Sequence, residues 1–329
     1  MKAMKAVNNS LGEIAAELQK GGPLLLASHI MPDGDSVGSL IGLGMALKNA
    51  GHNVVMYSPD GVPDRYSFLG GAGEVVSGGL PDSSFRLAVV LDCSDHLRLK
   101  PAWPKLKTMY LINIDHHSTN QYFGRLNHVD TAAAATGEII WLLLNEMGMA
   151  PDKAVADALY VAIATDTGSF RYEGTGPRCH RAAAALLEAG VKPQEISPRV
   201  FDLKSREAVA ILRVALTSLQ FSRDGRIAWM VAAEKDMQET GARDEHLEGV
   251  VNYAKNIEGV EVGLLFREKH DGTVKVGFRS HRVNVAEIAR TFGGGGHPRA
   301  AGCSLETKLS DAVNMVLTAL EQERDPAAT

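Results

Sequence analysis

Apolar and polar positions along the chain switch repeatedly between a strand-like run and a helical period, and the switching predicts strand-then-helix units. Ser10 followed by Glu13 is a capping-box pattern, and Leu11, Ile14, Ala15 and Leu18 then recur at helical spacing until Gly21 and Gly22. The apolar run from Pro23 to Ala27 predicts a buried strand. It leads into the polar run Ser28 to Ser36 and then a helix from about Val37 to Ala50, stopped by Gly51. Asn53 to Tyr57 and Leu87 to Leu91 predict two more strands, the latter ending in Asp92. Met109 to Ile112 predicts a fourth, running into Asn-Ile-Asp-His-His-Ser-Thr-Asn at Asn113 to Asn120. Beyond it Thr136 to Gly148, Ala154 to Thr165 and Pro177 to Ala189 carry helical spacing, the second running into Asp166 and the third closed by Gly190.

The character then changes. Lys192 to Lys204 holds Pro193 and Pro198 among charged residues and reads as a connection. Ile227 to Ala232, Val260 to Arg267 and Val274 to Phe278 predict strands; Leu247 to Lys255 and Val285 to Thr291 predict helices. The expected class is therefore α/β. A mainly parallel sheet with flanking helices is expected over residues 1–190, a linker over 191–210, and a smaller mixed α+β domain over 211–329. In open parallel sheets ligands bind beyond the carboxyl ends of the strands, where Asp33, Asp35, Asp92 and Asp115 are all expected.

Composition narrows the partners. A chain of 329 residues, 45% hydrophobic and 22% charged, has room for two well-cored domains. A formal net charge of -5 argues against a broad basic face for long nucleic acid but leaves room for a local basic pocket. With 6% aromatic residues, a long stacking groove for single strands is not expected. Cys93, Cys179 and Cys303 show no Cys-x-x-Cys spacing, which argues against a zinc ribbon or disulfide framework and fits a reducing cytoplasm. After Lys2 and Lys5 the polar Asn8, Asn9 and Ser10 stand where a signal peptide needs an apolar core, so no membrane targeting is expected.

The chemistry concentrates at the strand ends. His29, Asp33 and Asp35 form His-x-x-x-Asp-x-Asp in a segment bent by Pro32 and Gly34, expected to be a loop. Singly, Asp33 or Asp35 would serve as a turn residue or helix cap, Asp92 as a solvent-facing strand end and Asp166 as a cap. Together His29, Asp33, Asp35, Asp92, His116 and Asp166 are six candidate ligands, more than one open metal site needs, and a shared carboxylate would let two ions sit about 3.5 to 4 Å apart. A nitrogen and oxygen set without thiolate suits Mn²⁺, with Mg²⁺ or another divalent cation as the alternative. Downstream, Gly293 to Gly296 lies between Phe292 and His297-Pro298 inside an apolar-patterned region, which favours close backbone approach to a ligand over a flexible linker. Glycine amides there could cradle phosphate, with Arg279, His297 and Arg299 adding positive charge.

Four segments, His29 to Ser36, Leu91 to Asp95, Asp115 to His117 and Ala164 to Gly168, resemble in order and separation the successive motifs of the DHH phosphoesterase superfamily. Gly293 to His297 with Ala300, Ala301 and Gly302 resembles the glycine-rich loop of the DHHA1 domain, and Phe278-Arg279-Ser280 its preceding strand motif. The resemblance is strongest to the nanoRNase and pAp-phosphatase group. It implies an active site in the cleft between the two domains, with His29, Asp33 and Asp92 on one metal and Asp35, Asp92, His116 and Asp166 on the other. Asp92 would bridge, Asp115 would orient its neighbours and His117 would face the substrate phosphate; these three are the expected catalytic residues. Arg279, Ser280, Gly293, Gly294, Gly295, Gly296, His297 and Arg299 would bind substrate. The implied substrates are short RNA oligonucleotides and 3'-phosphoadenosine 5'-phosphate (pAp). Linear or cyclic dinucleotide messengers are the alternative, and a non-catalytic nucleotide sensor a further one. No obligatory protein partner is expected, and a homo-oligomer is compatible with the sequence.

Overall fold

The computed structural model describes residues 7–324, so Lys2 and Lys5, and the expectation drawn from them, lie outside the described residues. The chain forms two compact units, Met1–Leu203 and Lys204–Thr329. The stretch expected to be a linker is largely helical: Pro193–Ser197 is an α-helix, Pro198–Asp202 a π-turn, and Arg206–Thr217 a helix capped by the Ser205 side chain.

The first unit is built on β1 (Leu24–Ala27), β2 (Val54–Tyr57), β3 (Val75–Val76), β4 (Leu87–Leu91), β5 (Leu111–Asp115) and β6 (Leu126–Val129), in spatial order β3-β2-β1-β4-β5-β6. Every pairing is parallel. β1 and β4 are buried on both faces, as a sheet covered by helices on both sides requires.

Two helices set the site. Gly34–Asn49 begins at Gly34 rather than Val37, because the Asp33 side chain caps it by accepting from the Ser36 amide at 3.0 Å. Asp35 therefore stands in the first helical turn, not in a loop. Lys153–Asp166 runs antiparallel to it in close contact. A Cβ at Gly34 would lie 2.4 Å from Thr165, one at Gly38 2.3 Å from the Ala158 carbonyl oxygen, and one at Gly42 2.5 Å from Leu159. This glycine stripe at every fourth residue lets the helices approach far enough to bring Asp166, at the end of one, beside Asp35, at the start of the other.

The second unit is mixed α+β. Its sheet contains β7 (Gln220–Phe221), β8 (Ile227–Ala232), β9 (Val262–Glu268), β10 (Val274–Ser280), β11 (Gly295–His297) and β12 (Ala300–Leu305), ordered β11-β12-β10-β9-β8-β7. Only β8 with β9 is parallel. Helices Val285–Thr291 and Leu309–Arg324 cover one face with Phe266, Val276 and Phe278; Arg206–Thr217 and Val251–Lys255 belong to a separate cluster with Met230 and Leu265. Among the described residues no helix is long and apolar enough to cross a membrane.

Candidate metal centre

The parallel sheet has its topological switch between β1 and β4, where chain connections leave in opposite directions and a crevice opens beyond the carboxyl ends. His29 follows β1, Asp92 follows β4, and Asp115, His116 and His117 end or follow β5.

Two imidazoles are oriented alike. His29 Nδ1 is 2.8 Å from the Ile30 carbonyl oxygen, and its Nε2 is 3.7 Å from Asp92 Oδ2. His116 Nδ1 is 3.3 Å from the Ala133 carbonyl oxygen, while its Nε2 is 3.2 Å from Asp166, 3.7 Å from Asp92 and 3.8 Å from Asp35. A ring whose Nδ1–H donates to a carbonyl keeps a bare lone pair at Nε2, the form that ligates metal. Burial, helped by the charge of Arg98, lowers the pKa of His29 and favours that neutral form.

The carboxylates are held by donors from their own chain. Asp35 is buried and accepts from the amides of Thr136 at 2.6 Å and Gly137 at 2.9 Å and from the Ser39 hydroxyl at 3.0 Å. Those amides open the helix Thr136–Glu146, so its positive end faces Asp35. Asp92 adopts a left-handed backbone, φ 55°, and its Oδ1 accepts from the Thr136 hydroxyl at 3.0 Å. Burial and then the charges of Asp35, Asp33, Asp115 and Asp166 push the Asp92 carboxyl well above its ordinary range. Asp166 is pushed up to about 7, by burial first and by Asp35 second. As the last residue of its helix, Asp166 also sits at the negative end of that dipole.

Asp115 and His117 form a separate pair. His117 Nδ1 lies 2.7 Å from Asp115 Oδ1, which also accepts from the His116 amide at 2.9 Å, and Asn120 donates to Oδ2. Burial alone would lower the pKa of His117, but the hydrogen bond and charge of Asp115 outweigh it and raise it.

Ligand atoms within 4.8 Å of one another form three sets: His29, Asp33 and Asp92; Asp35, His116 and Asp166; and Asp92, His116 and His117. All six expected ligands come together, and His117 joins them. A divalent cation fits this donor set: His29 Nε2 is buried with no hydrogen-bond partner and faces a carboxylate, among acids that repel one another. Sequence reasoning missed Thr136, Gly137, Asn120 and Arg98. Thr136-Gly137-Glu138 opening an apolar-patterned helix was a readable signal for an N-terminal anion site; Arg98, whose Nη2 is 2.9 Å from His29 Nδ1, had none.

In the second unit His297 pairs in register with Ala300, and Ala300 with Arg279, so both basic residues point to one face of the sheet. Ser280 points to the other face, where its hydroxyl donates to the Val283 carbonyl. Arg299 contributes its carbonyl to the Ser280 amide at 3.0 Å. The glycines divide the work. A Cβ at Gly294 would lie 2.2 Å from the Gly302 oxygen and one at Gly296 2.5 Å from the Ala300 oxygen, so these two are small because β12 fills the space. Gly293 and Gly295 have open space at that position, Gly293 with φ +72°.

The model of the DHH family N-terminal domain matches residues 23–163, and that of the DHHA1 domain matches residues 226–323. The bifunctional oligoribonuclease and PAP phosphatase NrnA of Thermus thermophilus is 32% identical over 317 residues, covering 94% of this chain and 93% of that protein. The chain belongs to the DHH/DHHA1 family. Bacillus subtilis NrnA is 27% identical over 91% of this DHH/DHHA1 chain and 93% of its own length. An exopolyphosphatase-related protein from Bacteroides fragilis shares the fold at a TM-score of 0.90 and 23% identity, over 97% of this chain and 98% of that one. RecJ of Thermus thermophilus, crystallised in complex with Mn²⁺, aligns at a TM-score of 0.55 and 15% identity, over 95% of this chain and 54% of RecJ.

Proposed function

We propose that this chain hydrolyses short oligoribonucleotides to mononucleotides and pAp to AMP, using two divalent cations, with Mn²⁺ preferred. It is a hydrolase acting on phosphoester bonds. The observation that carries the reading is the pair of imidazoles, each tied at Nδ1 to a backbone carbonyl, that aim Nε2 into one buried set of carboxylates. The names of the relatives, oligoribonuclease and PAP phosphatase, support the substrates.

His29, Asp33 and Asp92 would hold one cation, and Asp35, Asp92, His116 and Asp166 the other. When bound, such cations lower the pKa of water and offset the charge that develops on phosphate oxygens. The chain's own groups do the rest. Thr136 and the helix it opens hold Asp35 and Asp92 in place without neutralising them. Asp115 fixes the His117 ring through Nδ1, so that Nε2 is left to face a phosphate oxygen. Arg279 and His297, on one face of the second sheet, hold the part of the nucleotide that does not react.

Purified protein with Mn²⁺ should convert pAp to AMP and di- to pentaribonucleotides to mononucleotides, and act poorly on long RNA, with products read by chromatography. Turnover confined to linear or cyclic dinucleotide messengers would give the site to a different substrate. Binding of pAp without product would make the chain a sensor.

A further inference from the structure

We propose that Tyr172 is a stacking platform for a nucleobase, the one on the nucleoside whose phosphate reaches the metal centre. The inference rests on the substrate reading above and concerns the first unit alone. Within the set Asp35, His116 and Asp166, the first two are closed in, with side chains 1% and 14% exposed, whereas Asp166 opens to solvent at 35%. The centre is therefore reached where the chain passes Asp166. Gly168 is two residues further on, so its Cα lies no more than about 7.6 Å from that of Asp166. A Cβ on Gly168 would lie 2.3, 2.5 and 2.6 Å from Cζ, Cε1 and Cε2 of Tyr172, so the tyrosine ring rests on bare glycine backbone. Its outer side is left to water, since Tyr172 is 58% exposed.

The segment is built to hold the ring there. Gly168, Ser169 and Phe170 are consecutive left-handed residues, with φ 55°, 61° and 63°, a conformation that serine and phenylalanine keep only where their surroundings impose it. Here they do. The Phe170 ring stacks on His180 with centroids 5.4 Å apart, and the Phe170 amide donates to the Thr167 hydroxyl at 3.0 Å. The amides of Arg171 and Tyr172 both donate to the Thr167 carbonyl oxygen, at 2.9 and 3.0 Å, and Arg171 Nε donates to the Gly168 carbonyl oxygen at 2.6 Å. Phe170 spends its ring on packing against the core, whereas Tyr172 is fixed as firmly and left uncovered. A ring already held in place loses little entropy when a base is laid on it, and every base has a π-face to offer. One platform beside the metal centre suits a short substrate end, and it suits a chain with 6% aromatic residues better than a long stacking groove would.

The test compares full-length wild type, Tyr172→Phe, Tyr172→Leu and Tyr172→Ala on pAp and on the same bisphosphate of an abasic ribose. A second arm follows the fluorescence of 2-aminopurine riboside monophosphate, an analogue of the product AMP, on binding to the Mg²⁺-loaded protein, where a base stacked on tyrosine is quenched. Folding is checked by thermal melts. Tyr172→Phe should keep both the activity and the quenching. Tyr172→Leu, which still covers Gly168, and Tyr172→Ala should each lose about tenfold in kcat/KM on pAp, carried by KM, lose clearly less on the abasic substrate, and lose the quenching. Equal losses on the two substrates, full pAp activity in Tyr172→Leu, or quenching that is absent from the wild type or unchanged in Tyr172→Ala would overturn the platform. A wild type that turns over no nucleotide would instead remove the proposed function, while the quenching would still decide whether Tyr172 stacks the base.

Discussion

The carboxyl edge of the first sheet and the β10 face of the second each gather like charge, acidic at the first and basic at the second. At the first, Asp35, Asp92 and Asp166 are gathered around His116 Nε2, with the Thr136 amide donating to Asp35 and its hydroxyl to Asp92. At the second, burial and then the charge of Arg279 lower the pKa of Lys255, and Arg267, Lys269 and Lys275 gather around Asp244. Crowding acids raises their affinity for cations, and crowding bases raises affinity for anions. Under the proposed function the first region does the chemistry and the second grips the nucleotide, and each half can be broken separately.

The largest effect is expected at Asp92, the residue common to two of the ligand sets. Asp92→Asn keeps the size of the side chain and its hydrogen bond from Thr136 but removes one charge facing both histidines. Activity on every substrate should fall by several orders of magnitude, and Mn²⁺ affinity measured by calorimetry should fall with it. Near-normal turnover with intact metal binding would take Asp92 out of the centre.

Next come Arg279→Ala and His297→Ala. Each removes a charge-assisted contact worth roughly 1.5 to 3 kcal/mol, or about tenfold to a hundredfold in kcat/KM on pAp. Bis-p-nitrophenyl phosphate has no nucleotide to hold, so its loss should be much smaller, whereas His116→Ala should abolish both reactions. Equal losses on the two substrates for Arg279→Ala and His297→Ala would erase the distinction between chemistry and grip.

A smaller effect, on stability, probes how the acids are brought together. At Gly38 an added Cβ would meet the Ala158 carbonyl oxygen at 2.3 Å, and backbone cannot step aside cheaply. Gly38→Ala should cost about 1 to 3 kcal/mol in the urea transition of the first unit and should weaken Mn²⁺ binding, because Asp35 and Asp166 ride on the two helices being forced apart. Unchanged metal affinity would mean the centre does not depend on the helix contact.

Gly38 also marks what the sequence could and could not tell. Strand-loop-helix alternation made β1, β2, β4 and β5 legible, though not the two-residue β3, because apolar runs such as Leu87 to Leu91 are buried on both faces. β6 was missed: Asn127 and His128 break its apolar pattern, and they are there to pair with Asn9 and Gly124. The six acids and histidines were legible because they cluster at predicted strand ends. Thr136 was legible as the start of a helix, but not its target, since its contact with Asp92 spans 44 residues. Gly34, Gly38 and Gly42 read as poor helix residues when their role is to admit a second helix. In the second unit Gly293 to Gly296 read as a ligand loop, and Gly294 and Gly296 are small because β12 fills the space beside them.

The smallest effect is expected where the second sheet's cations are already neutralised. Asp244 accepts from Lys269 Nζ at 2.5 Å and lies 3.4 Å from Arg267 and 3.6 Å from Lys275, with its side chain 45% exposed. Burial would raise its pKa, but the Lys269 hydrogen bond and the three positive charges prevail and lower it. A carboxyl with a folded-state pKa below its unfolded value stabilises the fold above the unfolded pKa, and that contribution is lost as pH falls through the folded value. Asp244→Asn should therefore cost up to about 1 kcal/mol at pH 7, because exposure and salt screen the pairs, and the gap to wild type should close below about pH 4. Urea midpoints of both proteins across that range, at low and high salt, give the measurement. A gap that stayed constant with pH and salt would mean Asp244 acts through packing rather than charge.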